Sequence, residues 1–491
     1  MLILLLLLSI FTYYVVKKSV AGLTRTPTWM LWLVMMIPAF VLALWSLSDR
    51  AEDPFPIGVL LGLFIVCPVL YWFLIQWGRI PQKVGQQAPS AQQTAAEAVK
   101  AAAEKATIPP LEKEEEATIQ HCFPWSVYYL QNIEYRPQAL ICKGQLRASP
   151  TVAYNTVREN IETHFGKRFL VVFQEGLNGK PFFALVPNPE RQKSNQSERP
   201  EKLARPGLAL GLFIATLFTT TAVGAFIAGV SEEAWQADPS LFWQGVPYAV
   251  SLMLILGVHE FGHYVAAQRY KMKATLPYFI PIPFFLGTFG AFIQLRSPVP
   301  NRRALFDVGI AGPLAGLVMA LPLLIWGLAH SEVVSMPENA SLLNFEALDP
   351  GASIALALLS KLALGSQLGM DNAIHLHPVA VSGCLGLVVT ALNLMPVGQL
   401  DGGHIVHAMY GQRNGAIIGQ VCRFLVLGLT FVHSELFIWA ILLFFIPAID
   451  EPALNDVSEL DNKRDLWGLI ALTLLVLIVL PTPGPLKALL F

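Results

Sequence analysis

Residues 259–263 read His-Glu-Phe-Gly-His. Histidines four positions apart share one face of a helix, where both imidazoles can reach a single Zn²⁺, and Glu260 beside them stands where it can take a proton from a water at that cation. Two imidazoles are one protein ligand short of a catalytic zinc site, which takes three and leaves a position open. The stretch ALNLMPVGQLDGGHIVH, residues 391–407, supplies a carboxylate at Asp401. Gly402 and Gly403 permit a sharp turn that can aim it inward. Asn393 and Pro396 break the helical pattern just ahead, which membrane depth tolerates only where backbone faces protein or a wet cavity. His404 and His407 compete for the ligand role but fall beyond the glycine turn. The expected centre is one Zn²⁺ per chain, held by His259, His263 and Asp401, with Glu260 as general base.

These groups sit in an apolar chain. It has 491 residues, 54% hydrophobic and 14% charged, with a mean hydropathy of +0.53. That describes a polytopic α-helical membrane protein with the lipid bilayer as its surroundings. A net charge of −1, from 33 basic and 34 acidic residues, gives no electrostatic case for nucleic acid. Five cysteines without a CxxC make neither a disulfide framework nor a thiolate site. Oligomeric state cannot be read from these features.

A hydrocarbon core of about 30 Å needs roughly 17 to 25 apolar residues. Runs of that kind lie at 1–16, 29–48, 55–77, 206–229, 243–266, 304–327 and 377–400, with a less distinct pair between 413 and 449 and a last one at 466–481. About ten spans are therefore expected. The first lacks a basic leading region and reads as a retained anchor. The domains divide as N-terminal spans 1–77, an Ala/Glu-rich linker 78–118, a soluble α+β domain 119–187, a polar linker 188–205, a membrane core 206–450, and a C-terminal loop and span 451–491. In the soluble domain Val152, Val157, Ile161 and Phe165 follow a helical period, while RFLVVFQ and PFFALV flank Asn178-Gly179 as a hairpin.

If each run crosses once, Lys17, Lys18, Arg205, Arg269, Arg302 and Arg413 fall on one side, and Asp49, Glu233, Glu332 and Asp349 on the other. Basic loops are cytoplasmic-type, so the soluble domain and both metal motifs are expected on the cytoplasmic or stromal side. Between the motifs, residues 276–307 carry Pro277, Pro281 and Pro283, too many to span as a helix. They read as a re-entrant loop and hairpin around GTFGAFIQL, with Gly287 and Gly290 in it. Its edge either holds a substrate drawn out into a strand or packs as a lid. Gly262, Gly287, Gly290 and the break at Pro396 are also where an aqueous channel to the site is expected.

HExxH on one span with N-x-M-P-x-x-x-L-D-G on a later one resembles the site-2 protease family of intramembrane zinc metalloproteases over about residues 206–450. The soluble domain and the extra spans resemble its plant plastid and cyanobacterial branch. The resemblance implies His259, His263 and Asp401 as zinc ligands, Glu260 as the catalytic glutamate, and Asn393 as a polar group near the substrate or the transition-state oxygen. GIAGPLAG, residues 309–316, is similar to the family's third core helix. The implied reaction is hydrolysis of peptide bonds within or near transmembrane segments of membrane-protein substrates, in a plastid or cyanobacterial membrane. The alternative is an ion- or proton-coupled transporter with His, Asp and Asn along its path. The metal-ligand spacing, and the lack of paired broken helices in two halves, weigh against it.

Overall fold

The computed structural model describes residues 26–46 and 113–491, except 137–138, 177–178, 189–204, 284–285, 338–344, 370–371 and 431–435; before residue 113 it also describes 9, 12–13, 16–17, 67, 70–71, 73–74 and 77. Most of the expected spans at 1–16 and 55–77, nearly all of both linkers, Asn178 and His433 lie outside the described residues. The chain divides into two compact units, residues 1–93 and 94–491. In the first, the apolar helix α1 (Thr28–Ser46) buries Leu31 and Val34 in a cluster with Val16, Cys67 and Leu74.

The second unit begins with α2 (Lys113–His121), followed by β1 (Tyr128–Arg136), β2 (Ala139–Leu146), α3 (Pro150–Phe165), β3 (Phe169–Glu175) and β4 (Pro181–Pro187). The strands form one antiparallel sheet in the order β1-β2-β4-β3. Strict alternation along β3 turns Phe169, Val171 and Phe173 inward, as a half-covered strand requires. The helix α3 covers that face with Ala153, Tyr154, Val157 and Ile161. Val152, expected on this face, is exposed instead, because 153, 157 and 161 continue one stripe and 152 turns away from it. α2 starts at Lys113, so helix begins inside what reads in the sequence as linker.

The helical core follows: α4 (Pro206–Ile227), α5 (Val246–Arg269), the hairpin β5 (Tyr278–Pro281) and β6 (Thr288–Phe292), and α6 (Arg302–Ala329). Beyond it come β7 (Glu332–Ser335), α7 (Ile354–Leu364), β8 (Asn372–His375), α8 (Pro378–Leu394), α9 (Asp401–Tyr410), α10 (Gln412–Leu429), α11 (Phe437–Phe445), α12 (Asn462–Val479) and α13 (Gly484–Leu490). The chain is thus largely helical, with small sheets. Among the described residues, three helices are long and apolar enough to cross a membrane, Pro206–Ile227, Pro239–Arg269 and Arg302–Ala329, or four if α12 and α13, bent by 83°, count as one broken span.

The shorter elements have local causes. α8 stops at Leu394, two residues ahead of Pro396, and α11 runs nine residues and stops two short of Pro447. Arg423, inside the apolar pair, is buried and donates to the Ile446 carbonyl at 2.5 Å, an acceptor left free by the end of α11. α5, α6 and α8 approach closely through small residues: a Cβ on Gly262 would stand 2.5 Å from the Ala311 carbonyl, and one on Gly383 2.7 Å from Leu324 Cα.

Candidate metal centre

His259 and His263 lie in the C-terminal half of α5, buried at 4% and 7% relative exposure. Room for their rings comes from α6. A Cβ on Gly312 would overlap the His263 imidazole, and one on Gly316 would come within 3.1 Å of His259. Gly309 likewise passes close to the Asp401 carbonyl and to His404. The glycines of the 309–316 stretch are therefore the seat against which the motif packs.

His263 Nδ1 lies 2.8 Å from the Val308 carbonyl. A carbonyl only accepts, so that nitrogen carries the proton and Nε2 of the neutral ring presents its lone pair. The lone pair faces His259 Nε2 at 3.2 Å and Asp401 Oδ2 at 3.2 Å, and His259 Nε2 lies 3.6 Å from the same oxygen. Ligands held at about 2.0–2.1 Å in a tetrahedron stand about 3.3 Å apart, so these separations fit one zinc ion at their centre. Among the described residues this is the one group of three His, Cys, Asp or Glu side chains with that convergence.

Asp401 opens α9 after the turn 395–400. The residue there with a left-handed backbone is Gly398, at φ +50°, and any side chain on it would collide with the Pro447 carbonyl. Gly402 and Gly403 are helical; they press against the carbonyls of Leu394 and Gly398, where no Cβ fits. Close approach, and not an unusual backbone angle, is what those two positions require, a correction to the turn read from the sequence.

Glu260 is buried at 8%, and the backbone N–H of Ile293, one residue past β6, lies near enough to act on its carboxylate. Asn393 Nδ2 lies 3.2 Å from His259 Nε2. The hairpin is tied down on its other side: Thr219 donates to the Gly287 carbonyl at 2.7 Å, and Tyr248 to the Leu286 carbonyl at 3.0 Å. Gly287, at φ +80°, is pressed against Thr220 of α4, whereas Gly290, at φ +107°, faces open space. β6 pairs with β5 alone, which leaves its second edge without a strand among the described residues. Gly262 packs on α6 and Gly287 on α4.

The competing histidines are otherwise engaged. His404 Nδ1 lies 2.9 Å from Asp450, and His407 bridges Asp450 at 2.7 Å and Asp456 at 2.9 Å. Asp450, Asp456 and Gly398 escape a sequence reading, and Gly312 is legible only as part of GIAGPLAG, not as the seat of His263. The two aspartates lie more than 40 residues from their partners, and glycines in apolar runs look alike until a neighbour is known.

Buried imidazoles and a carboxylate converging between two helices, with a glutamate alongside, match the donor set of a zinc-hydrolase type of centre. Residues 247–432 match the model of Peptidase family M50, and that stretch contains His259, Glu260, His263 and Asp401. It is similar to the probable zinc metalloprotease EGY2, chloroplastic, of Arabidopsis thaliana, 29% identical over 375 residues, which cover 74% of this chain and 63% of that protein. It is also similar to the EGY2 protein of Oryza sativa subsp. indica, 28% identical over 373 residues, 74% of this chain and 65% of that protein. The probable zinc metalloprotease EGY1, chloroplastic, of Arabidopsis thaliana is 35% identical over 239 residues, 48% of this chain and 43% of that protein. The chain spans just under two thirds of the length of the EGY2 relatives. Both findings support the resemblance to the site-2 protease family and its plastid branch. No solved structure matches the chain.

Proposed function

We propose that this chain is an intramembrane zinc metalloprotease that hydrolyses peptide bonds within or near transmembrane segments of membrane-protein substrates. The observation that carries the proposal is the convergence of two buried imidazole nitrogens and a partly exposed carboxylate oxygen, separated by 3.2 to 3.6 Å, with Glu260 on the next helical position. One Zn²⁺ per chain, held by His259, His263 and Asp401, would polarise the scissile carbonyl and lower the pKa of the attacking water. Glu260 takes the proton of that water and delivers it to the leaving amine. The Asn393 amide, on the same side as His259, donates to the developing oxyanion. A transmembrane helix hides each carbonyl in its own hydrogen bond, so cleavage requires local unwinding with replacement partners. The free edge of β6, whose continuation at Ile293 lies near Glu260, offers backbone partners for an unwound stretch, with Gly290 open beside it.

In the same reading, the segments before residue 206 and after 412 complete about ten spans. The 119–187 domain lies with the active site on the cytoplasmic or stromal face of a plastid or cyanobacterial membrane. The alternative transporter is not favoured.

The test uses the full-length protein in liposomes with a transmembrane reporter bearing Gly, Pro or Asn near the cut. Zinc near one per chain is expected, with cleavage lost on chelation and regained on adding zinc. Cleavage by metal-free protein would refute the proposal.

A further inference from the structure

The segment between α11 and α12 joins three parts of the second unit. Its Leu454 carbonyl accepts from Phe173 N–H at 2.7 Å, and Asp456 N–H donates to the Phe173 carbonyl at 2.9 Å, so the segment lines the outer edge of β3 as a short parallel strand. Leu454 and Val457 enter the core beneath that sheet. On its other side, Leu454 N–H donates to the Val299 carbonyl and Asn455 N–H to the Pro300 carbonyl, at the entrance to α6. The two aspartates bounding this strap, Asp450 and Asp456, close on opposite nitrogens of His407, which is 1% exposed. With an acceptor at each nitrogen the ring carries both protons, a buried cation between two buried carboxylates.

His407 lies on α9, six residues after Asp401, about 9 Å along the axis at 1.5 Å per residue. The N-terminus of that helix has no side-chain cap, and the turn before it contains the left-handed Gly398. The second half of α9 is tied to other elements by side chains: His407 in the strap, and Arg302, which donates to the Ala408 carbonyl at 2.8 Å. A ten-residue helix is stiff, so a twist at its clamped end appears at its first residue.

We propose that His407, clamped by Asp450 and Asp456, is a positioning residue for Asp401, and that through it the β3 edge of the sheet domain sets where that carboxylate stands among the metal ligands. The proposal rests on His259, His263 and Asp401 being the ligands. It gives the sheet domain a task at the active site without requiring it to touch substrate. Side chains that orient first ligands commonly change metal affinity 10- to 100-fold when removed.

The experiment titrates the full-length protein with Co²⁺ and records the visible ligand-field bands together with affinity. It compares wild type with His407→Gln, the milder Asp456→Asn, and Leu454→Ala, which touches neither the cluster nor the ligands. Weaker Co²⁺ binding by about tenfold or more for His407→Gln, a smaller loss for the other two, and altered band intensities are expected. In reporter cleavage kcat should fall while KM holds, since the substrate edge at β6 is untouched. If His407→Gln does not fold, Asp456→Asn and Leu454→Ala decide. Folded variants with wild-type affinity and bands would overturn the positioning role and leave the ligand assignment standing. A wild-type protein that binds no Co²⁺ would overturn both.

Discussion

Two clusters of the same residue types share helix α9, and they are wired in opposite ways. Around Asp401 three ligand atoms converge, the His263 lone pair, His259 Nε2 and a carboxylate oxygen, 3.2 to 3.6 Å apart, with the Asn393 amide a donor to His259 from the side. Around His407 donors and acceptors alternate, each nitrogen meeting one carboxylate. Buried lone pairs that face one another are unfavourable unless a cation stands among them, while alternating partners satisfy themselves. Wiring, and not burial or residue type, separates the site built for a metal from the one built to hold the fold.

The sharpest way to break that comparison is at Glu260. Glu260→Gln keeps the three ligands and removes only the proton acceptor, so reporter cleavage should fall by about 10² to 10⁴ while bound zinc stays at the wild-type level. A variant that loses its metal would make Glu260 a ligand. Asp401→Ala should differ by losing zinc and cleavage together. Next in size is Gly312→Ala, whose methyl must displace the His263 ring; zinc affinity should drop about tenfold or more. Gly257→Ala is the control, since its methyl meets only Phe279 at an ordinary 3.7 Å. Equal affinities in the two alanine variants would remove α6 from the construction of the site.

The self-satisfied cluster should instead answer to pH. Burial pulls the His407 pKa down, but the hydrogen bonds to Asp450 and Asp456 outweigh it and push it up to about 9. Burial raises that of Asp450, and the charges of His404 and His407 outweigh it in turn, to about 2. A raised histidine contributes stability that is fully present below its ordinary value near 6.5 and is lost as pH rises through about 9. A lowered aspartate contributes stability present above its ordinary value and lost as pH falls through about 2. Thermal unfolding of the metal-free protein should therefore weaken on the alkaline side between about pH 7 and 9, and His407→Gln should flatten that limb. An unchanged limb in His407→Gln would detach the cluster from stability. The smallest effect is expected at the exposed Arg158–Glu162 pair on α3, 2.9 Å apart. Glu162→Gln should shift stability by less than about 0.5 kcal/mol, measured by denaturant unfolding. A larger loss would mean that exposure does not weaken ion pairs here as it should.

Much of the site could be read from spacing alone. HExxH needs only the helical period to place two imidazoles together, and Asp401 needed only a span ending at the same level. The four-stranded sheet was foreshadowed by RFLVVFQ and PFFALV, whose alternation survives in β3. The stripe of α3 was misplaced at Val152, because a short amphipathic helix tolerates more than one phase until the sheet beneath it selects one. The helix α7 has eleven residues, fewer than the roughly 17 that mark a span, so apolar length alone does not reveal it.

Periodicity determined which residues of this chain could meet along one helix, since a helix carries its own geometry wherever it lies: His259 with Glu260 and His263, and Val157 with Ile161. The tertiary structure decided what crosses between elements. It put Gly312 under His263, Ile293 beside Glu260, and Asp450 and Asp456 around His407. Those pairings depend on the packing of α5, α6 and the strap, and that packing is set by contacts distant in the chain, for which no local period exists.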